Sequence, residues 1–450
     1  MFDRIIAHTS FIGETGYANH SRNFFTALNK IIPVKVRNFA VGKTWNGLNE
    51  GEPHNNEWYL TDEHKEMLYK QTCLHDGGRR DHYIYGGSEE DEKGNVLHII
   101  LNEVNHHHFY DEYNGPKIAY NVWESTLYPD DFFNKLLEFD QLWVPTKWQR
   151  DCVIDQGYDF NKVKVVPEAV DGEIFFPEKV DLLDEYKDER FKFLLLGRWD
   201  YRKCTREIIK SFLRVFKNDE PVDLVVSIDN IFATDKIKTT EERLKYFGFD
   251  DERIKIKHFP SKDDYIKYLK TGHVFLSCAR SEGWNLPLIE SMSCGCPSIY
   301  SNWGAQLEFA NNKGIPVDII DERLASSGNA YKMIDKDIPG KYCEPDFDHL
   351  EKIIEDTYVN YESHKKKAII DSEIIREEFT WEEASKKAIS CLEEFKDNEE
   401  EIIVNGVKAA HHVPLGLLKG ETEARIYEKY FKVEDGDVVV DIGSNIGLFS

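Results

Sequence analysis

No run of apolar residues in this chain is long enough to cross a bilayer, and its first residues, MFDRIIAHTSFIG, lack the basic and extended apolar regions of a secretory leader. A cytoplasmic protein without a transmembrane segment is the expectation. Positive charge is also in short supply: 57 basic side chains stand against 82 acidic ones in 450 residues, a net charge of -25. That balance disfavours nucleic acid and anionic membrane as main partners, since both reward basic surfaces. The eight cysteines have no repeating spacing, so a disulfide framework is not expected. Cys294 and Cys296 form only C-x-C and read as small residues packing a helix end. His106, His107 and His108 are consecutive, cannot all face one metal ion, and read as a strand-end loop. Internal repeats and low-complexity tracts are missing as well.

What is present is a globular composition, 41% apolar and 13% aromatic, in a chain long enough for two or three domains. Short β-branched runs (RIIAHTSFI, PVKVRNF, NVLHIIL, PKIAYNVW, QLWVP, KVKVVPEAV) alternate with helical patterns over about residues 1–175. This alternation predicts βαβ units on a parallel sheet. A proline and a charge run at 171–190 interrupt it and read as a linker. A second alternating series, beginning with FKFLLLGR and assigned to 176–379, predicts a second doubly wound domain. Two such domains would leave a cleft outside the carboxyl ends of their strands. Thr380, followed three residues later by Glu383, has the capping-box spacing for a helix over about 380–400. A different unit is expected from 401 to 450.

The chemistry gathers in the second series. A strand runs into Gly197 and Arg198, with Lys203 five positions on before a helix; a glycine, two cations and a helix N-terminus suit an anion. Glu282 and Glu290 flank the start of a further helix. If both lay along it, the eight-position step from one to the other would span about 12 Å, beyond the roughly 5–9.5 Å of a glycoside hydrolase pair. Two ends of one elongated ligand suit that separation better. The amides of Gly283, Trp284, Asn285 and Leu286 would face the cleft, with Pro287 in the first turn. Glu290 taken singly also reads as a solvated helix residue.

SEGWNLPLIESMSCGCPSI resembles the Glu, seven residues, Glu motif of the retaining glycosyltransferases of family 4, which have the two-domain GT-B fold. GRWDYRK, LWVPTKWQRDCVIDQGY, VVPEAVDGEIFFP, FTWEEAS and the glycine loop FIGETGYANH fall in the family's order, over about residues 1–395. The resemblance implies a nucleotide diphosphate sugar as co-substrate. Arg198 and Lys203 would neutralise the leaving diphosphate. Glu282 would hold hydroxyls of the transferred sugar, Glu290 the ribose, and Gly13 and Gly16 would let the backbone approach the phosphates. It further implies retention at the anomeric carbon, no bound metal, domain 1–175 as the acceptor side, and a return of the helix at 380–400 to that domain. The acceptor, whether glycan, lipid or protein, is left undefined. Two positions depart from the pattern. Asn285 stands where many members have glycine, and NVWES replaces the usual cleft histidine with Trp123 and Glu124. Glu124 could serve the sugar or the acceptor, or cap the next helix; His106 to His108 are a lesser substitute. A non-catalytic carbohydrate- or protein-binding partner on the same fold is the alternative, and an epimerase or phosphorylase a third.

The last residues, ETEARIYEKYFKVEDGDVVVDIGSNIGLFS, resemble the start of an FkbM-type methyltransferase, with Asp441, Gly443 and Gly447 around the cofactor turn. One strand and one turn cannot form a Rossmann-like sheet. The 450 residues are therefore expected to form part of a bifunctional glycosyltransferase-methyltransferase, with S-adenosylmethionine bound only by a complete second domain.

Overall fold

The computed structural model describes residues 2–12, 15–41, 60–68, 71–75, 81–85, 93–104, 115–178, 190–217, 219–230, 237, 239–259, 261–325, 338–397, 402–404 and 407–409. Gly13, His106 to His108, most of the proposed linker and residues 410–450, with the methyltransferase-like stretch, lie outside them.

The first sheet contains β1 (Arg4–Thr9), β2 (Val34–Val41), β3 (Gln71–His75), β4 (Asp81–Tyr85), β5 (Val96–Leu101), β6 (Lys117–Tyr120), β7 (Gln141–Val144) and β8 (Val163–Val165). Its order is β3-β4-β2-β1-β5-β6-β7-β8. The six strands from β2 to β8 in that order pair in parallel, while β3 and β4 add antiparallel at the edge. That edge pair was not anticipated. Helices α1 (Gly16–Asn29), α2 (Asp62–Met67), α3 (Asp130–Leu136) and α4 (Lys147–Asp155) connect the strands. Both α1 and α4 begin at a threonine, Thr15 or Thr146, whose hydroxyl accepts an amide proton of the first turn.

The second sheet contains β9 (Phe191–Leu196), β10 (Val222–Ser227), β11 (Ile254–Ile256), β12 (Val274–Ser277), β13 (Ser298–Ser301) and β14 (Ile315–Val317). All its pairings are parallel, in the order β11-β10-β9-β12-β13-β14. Its helices are α5 (Thr205–Val215), α6 (Thr240–Tyr246), α7 (Lys262–Thr271), α8 (Leu286–Ser293) and α9 (Leu307–Ala310). The apolar faces of α5 and α6 close over a core that includes Phe193, Ile208, Phe212, Leu224 and Leu276, while α7, α8 and α9 add Leu269, Ile289 and Phe309 to a cluster shared with the first sheet. An antiparallel pair, β15 (Ile319–Leu324) with β16 (Lys341–Pro345), follows β14 and was also unanticipated.

Helices α10 (Phe347–Val359) and α11 (Tyr361–Glu378) complete this half, and α12 (Trp381–Asp397) returns to pack on α1 of the first sheet. Thr380 caps α12 by accepting from the Glu383 amide at 3.1 Å, as its spacing predicts. Trp381, Ala384, Ala388 and Cys391 of α12 lie in one continuous core with Phe24, Leu28 and Trp143. A last antiparallel pair joins β17 (Ile402–Val404) to β18 (Val407–Ala409).

Each sheet changes direction at its first strand. In the first, β1 lies between β2 and β5; in the second, β9 lies between β10 and β12. Loops leaving the carboxyl ends of the two strands at such a point diverge to opposite faces and open a crevice where ligands bind. The loops after β9 and β12 carry Gly197 to Cys204 and Cys278 to Asn285.

Candidate active site

Gly197 directly follows β9 with φ of +123°, a conformation that favours glycine, and a side chain there would stand 3.6 Å from the Lys203 stem. The chain then turns tightly to Cys204, the left-handed N-cap of α5. This turn presents Arg198, Arg202 and Lys203. Arg202 is only 2% exposed, and its NH1 donates to Glu282 at 2.9 Å and to the Ser281 carbonyl at 2.6 Å. Lys203 Nζ reaches the other Glu282 oxygen at 2.6 Å. The two loops of the switch point are thus joined at Glu282. Burial pushes its carboxyl pKa up, but Arg202 and Lys203 outweigh burial and hold it below the ordinary value.

Arg280 braces the same turn from behind. Its guanidinium forks onto Glu344 at 2.8 and 3.1 Å, donates to the Tyr201 carbonyl at 2.6 Å and lies 3.8 Å over the Tyr201 ring. Its amide donates to the Arg202 carbonyl at 2.7 Å. Arg198 is the more open cation, 31% exposed, with Asp200 3.7 Å away.

Glu282 does not lie on α8, which begins at Leu286, so the helical rise does not set its separation from Glu290. Asn285 precedes α8 with φ of +92°, the left-handed conformation that explains glycine's suitability there, and its amide donates to Ser277 and Gln306 at 2.8 and 3.1 Å. Pro287 occupies the first turn, as expected. Trp284 gives no indole to the cleft: it is 2% exposed and packs against Phe309 and Phe379. Gly283 faces the first domain so closely that an added Cβ would lie 2.4 Å from Val122 Cγ1 and 3.2 Å from the Trp123 carbonyl oxygen.

Glu290 is buried rather than solvated. It accepts from the Tyr265 hydroxyl, and its other oxygen lies 3.5 Å from the Asn19 amide of α1, across the domain boundary. Burial raises its pKa to about 7 against the opposing effect of Tyr265. Glu168 beside it is pushed up to about 8 by burial and then by Glu290. His20, 3.6 Å from Glu168, is driven down to about 3 by burial. Gly16 opens α1, and a Cβ there would meet nothing within 4 Å.

The positions standing in for the cleft histidine separate. Trp123 is core: its indole stacks on Tyr128 at 4.7 Å and donates to the Leu127 carbonyl at 2.8 Å. Glu124 does not cap the next helix, whose N-cap is Pro129. It crosses to the second domain and pairs with Arg202 Nε at 3.0 Å. Arg202, adjacent to an expected site residue, was missed because a lone arginine beside the lysine gave no spacing signal. Just past β5, burial and then the Glu124 charge raise the Glu103 carboxyl to about 7 against the effect of Arg198.

Among the described residues no group of three or more His, Cys, Asp or Glu is placed to hold a metal, and no helix is long and apolar enough to cross a membrane. No disulfide joins Cys152, Cys204, Cys278, Cys294, Cys296 or Cys343, and Cys294 is the C-cap of α8.

Two Rossmann-like domains with facing switch points define the GT-B fold. Residues 184–317, which carry all six strands of the second sheet, match the family described as Glycosyl transferases group 1. A curated relative, "Probable sucrose-phosphate synthase" of Thermosipho melanesiensis, is 23% identical over 249 residues, covering 52% of this chain and 48% of its own length. The chain spans less than two thirds of the length of each curated relative it matches here. Among solved structures, Anabaena Alr3699/HepE in complex with UDP and glucose superposes with a TM-score of 0.62 at 12% identity, covering 87% of this chain and 100% of that one. The sucrose-phosphate synthase from Thermosynechococcus elongatus gives 0.60 at 13% identity, covering 88% and 99%. These structures share the fold.

Proposed function

We propose that this protein is a glycosyltransferase that moves a sugar from a nucleotide diphosphate sugar to an acceptor hydroxyl with retention of anomeric configuration and without a metal. The observation that carries the reading is the cation cluster of Arg198, Arg202 and Lys203 on the turn between β9 and α5, tied through Glu282 to the loop before α8. Diphosphate oxygens would be met by Arg198 and Lys203 and by the amides of Gly283 to Leu286. Positioned cations of this kind stabilise the charge that develops on a departing diphosphate. Lys203 would exchange part of its contact with Glu282 for phosphate, leaving Glu282 an oxygen for a sugar hydroxyl. Glu290, beneath Asn19 of the first domain, suits the ribose.

The family match over 184–317 supports the donor side, and the solved relative's complex with UDP and glucose makes UDP-glucose the first donor to try. Domain limits of 1–175, 176–379 and 380–400 and a cytoplasmic location belong to the same proposal. The bifunctional arrangement with a methyltransferase rests on the sequence of 421–450 alone.

The test is incubation with a panel of nucleotide sugars, following release of nucleotide diphosphate. Turnover should persist in EDTA and collapse in Lys203→Ala and Glu282→Ala. Donor binding with no release, across neutral, phosphorylated and lipid-linked acceptors, would sink the reading in favour of a binding protein.

A further inference from the structure

Glu282 has two cationic partners, Lys203 at 2.6 Å on one oxygen and Arg202 at 2.9 Å on the other. A phosphate that draws Lys203 away removes the first. Lys203, 18% exposed, is able to swing toward a ligand, whereas Arg202 is 2% exposed and also donates to the Ser281 carbonyl at 2.6 Å. Arg202 is therefore the cation that keeps Glu282 in place once the diphosphate is bound. Arg202 in turn stands between two carboxylates: its NH1 meets Glu282, and its Nε lies 3.0 Å from Glu124 of the first domain. A guanidinium suits this position because its donors point in fixed directions within one plane, which a lysine ammonium does not offer.

The fold presets the contact. On the first-domain side, the Tyr17 hydroxyl donates to the Val122 carbonyl at 3.1 Å, the Trp123 amide donates to Gln149 at 3.2 Å, and the Trp123 ring stacks on Tyr128. On the second-domain side, the segment entering β16 runs along the residues just after Glu124. Ser125 Oγ donates to the Pro339 carbonyl, the Lys341 amide donates to Thr126 Oγ1 at 2.9 Å, and a Cβ at Gly340 would lie 2.6 Å from the Leu127 nitrogen. Ile338 and Tyr342 share a core with Trp123 and Tyr128. Further along β16, the Cys343 amide donates to the Arg280 carbonyl at 3.0 Å, and Glu344 takes the Arg280 guanidinium. The Arg280 amide donates to the Arg202 carbonyl. One strand thus fastens both the Glu124 loop and the Arg202 turn.

We infer that Glu124 is a positioning residue: acting from the first domain through Arg202, it holds Glu282 toward the sugar hydroxyls while Lys203 serves the leaving diphosphate. This rests on the proposed transferase reading and adds what the first domain contributes to its donor side. The Glu124 charge also has an effect of opposite sign. Close to the cation cluster, it offsets part of the attraction for a nucleotide diphosphate. Removing that charge should therefore harm transfer without weakening the bare nucleotide. A contact that merely joined the domains would lower rate and nucleotide affinity together.

The experiment uses the full chain, the first donor of the panel that the wild type turns over, and the nucleotide diphosphate of that donor in calorimetry. Glu124→Gln keeps the shape and removes the charge. Its kcat should fall by about 10- to 100-fold, the scale of a misplaced contact group, while nucleotide diphosphate affinity stays within about twofold or tightens. Glu124→Asp, which keeps the charge, should regain part of the rate. In an Arg202→Lys background the fork is gone, so adding Glu124→Gln should cost less than about threefold more. Urea unfolding of each variant reports on folding. Wild-type kcat in Glu124→Gln, nucleotide affinity that falls along with kcat, or a full further loss in the Arg202→Lys background overturns this inference alone. Absence of nucleotide release by the wild type from every donor overturns the transferase reading instead.

Discussion

Replacing Glu282 by glutamine tests the joint between the two switch-point loops. The wild-type carboxylate is 5% exposed and holds Arg202 at 2.9 Å and Lys203 at 2.6 Å. An amide of the same shape removes the negative charge from between them. Removing one member of a buried pair costs about 3–5 kcal/mol, since the survivor is left charged and uncompensated. Two features favour the lower end of that range. Arg202 keeps Glu124 and the Ser281 carbonyl, and Lys203, 18% exposed, can turn toward water. A loss of about 3 kcal/mol is expected in urea unfolding at neutral pH without nucleotide. Adding Lys203→Met removes the stranded charge, so the double variant should be more stable than the sum of the single effects by about 1 kcal/mol or more. The gap should narrow in acid. A carboxylate whose folded pKa is depressed stabilises above its unfolded value, and that contribution disappears as pH falls through the folded one. A loss below about 0.5 kcal/mol, or strict additivity, would show that the cluster behaves like a surface ion pair.

Other consequences can be measured separately. Gly283→Ala places a methyl group 2.4 Å from Val122 Cγ1, so the domains must part, and calorimetry should show nucleotide affinity reduced by about tenfold, or ~1.4 kcal/mol; unchanged affinity would mean that the closure of the cleft is immaterial to binding. Trp123→Ala should cost about 3–5 kcal/mol of stability by opening the core, while Trp123→Phe should keep most activity. If both variants lost activity with wild-type melting curves, Trp123 would be a ligand contact after all. Glu290 and Glu103 at about 7 and Glu168 at about 8 retain protons that the unfolded chain has released. Such raised carboxyls stabilise below their unfolded values, and the contribution is lost as pH rises through the folded ones. The melting temperature of the nucleotide-free protein should therefore fall as pH rises from about 5 to about 8 and level off above. His20, held near 3, acts oppositely: its contribution is present above its unfolded value and lost as pH falls through the folded one. A melting temperature that rises from neutral to mildly alkaline pH would contradict these assignments.

The fold was readable because parallel strands and their helices each repeat a simple apolar pattern, and the doubly wound halves follow from the alternation. The antiparallel pairs β3–β4 and β15–β16 were not readable, since short edge strands carry mixed polarity and pair by tertiary position. Asn285 was readable because its conformational tolerance is a property of the residue itself. Trp123 and Glu124 were not, because whether an aromatic fills a core or a carboxylate crosses a cleft depends on what the other domain presents. Arg202 was hidden for the same reason: its partners, Glu124 and Glu282, are 78 and 80 positions distant in sequence.

Proton NMR of the reaction with an α-linked nucleotide sugar tests the central claim most directly. The anomeric doublet of the donor should decay as a new α-anomeric doublet of the transferred sugar grows, with one nucleotide diphosphate released per transfer. A β-anomeric product would contradict retention, and a donor doublet that stays unchanged with every acceptor offered would contradict the transferase itself.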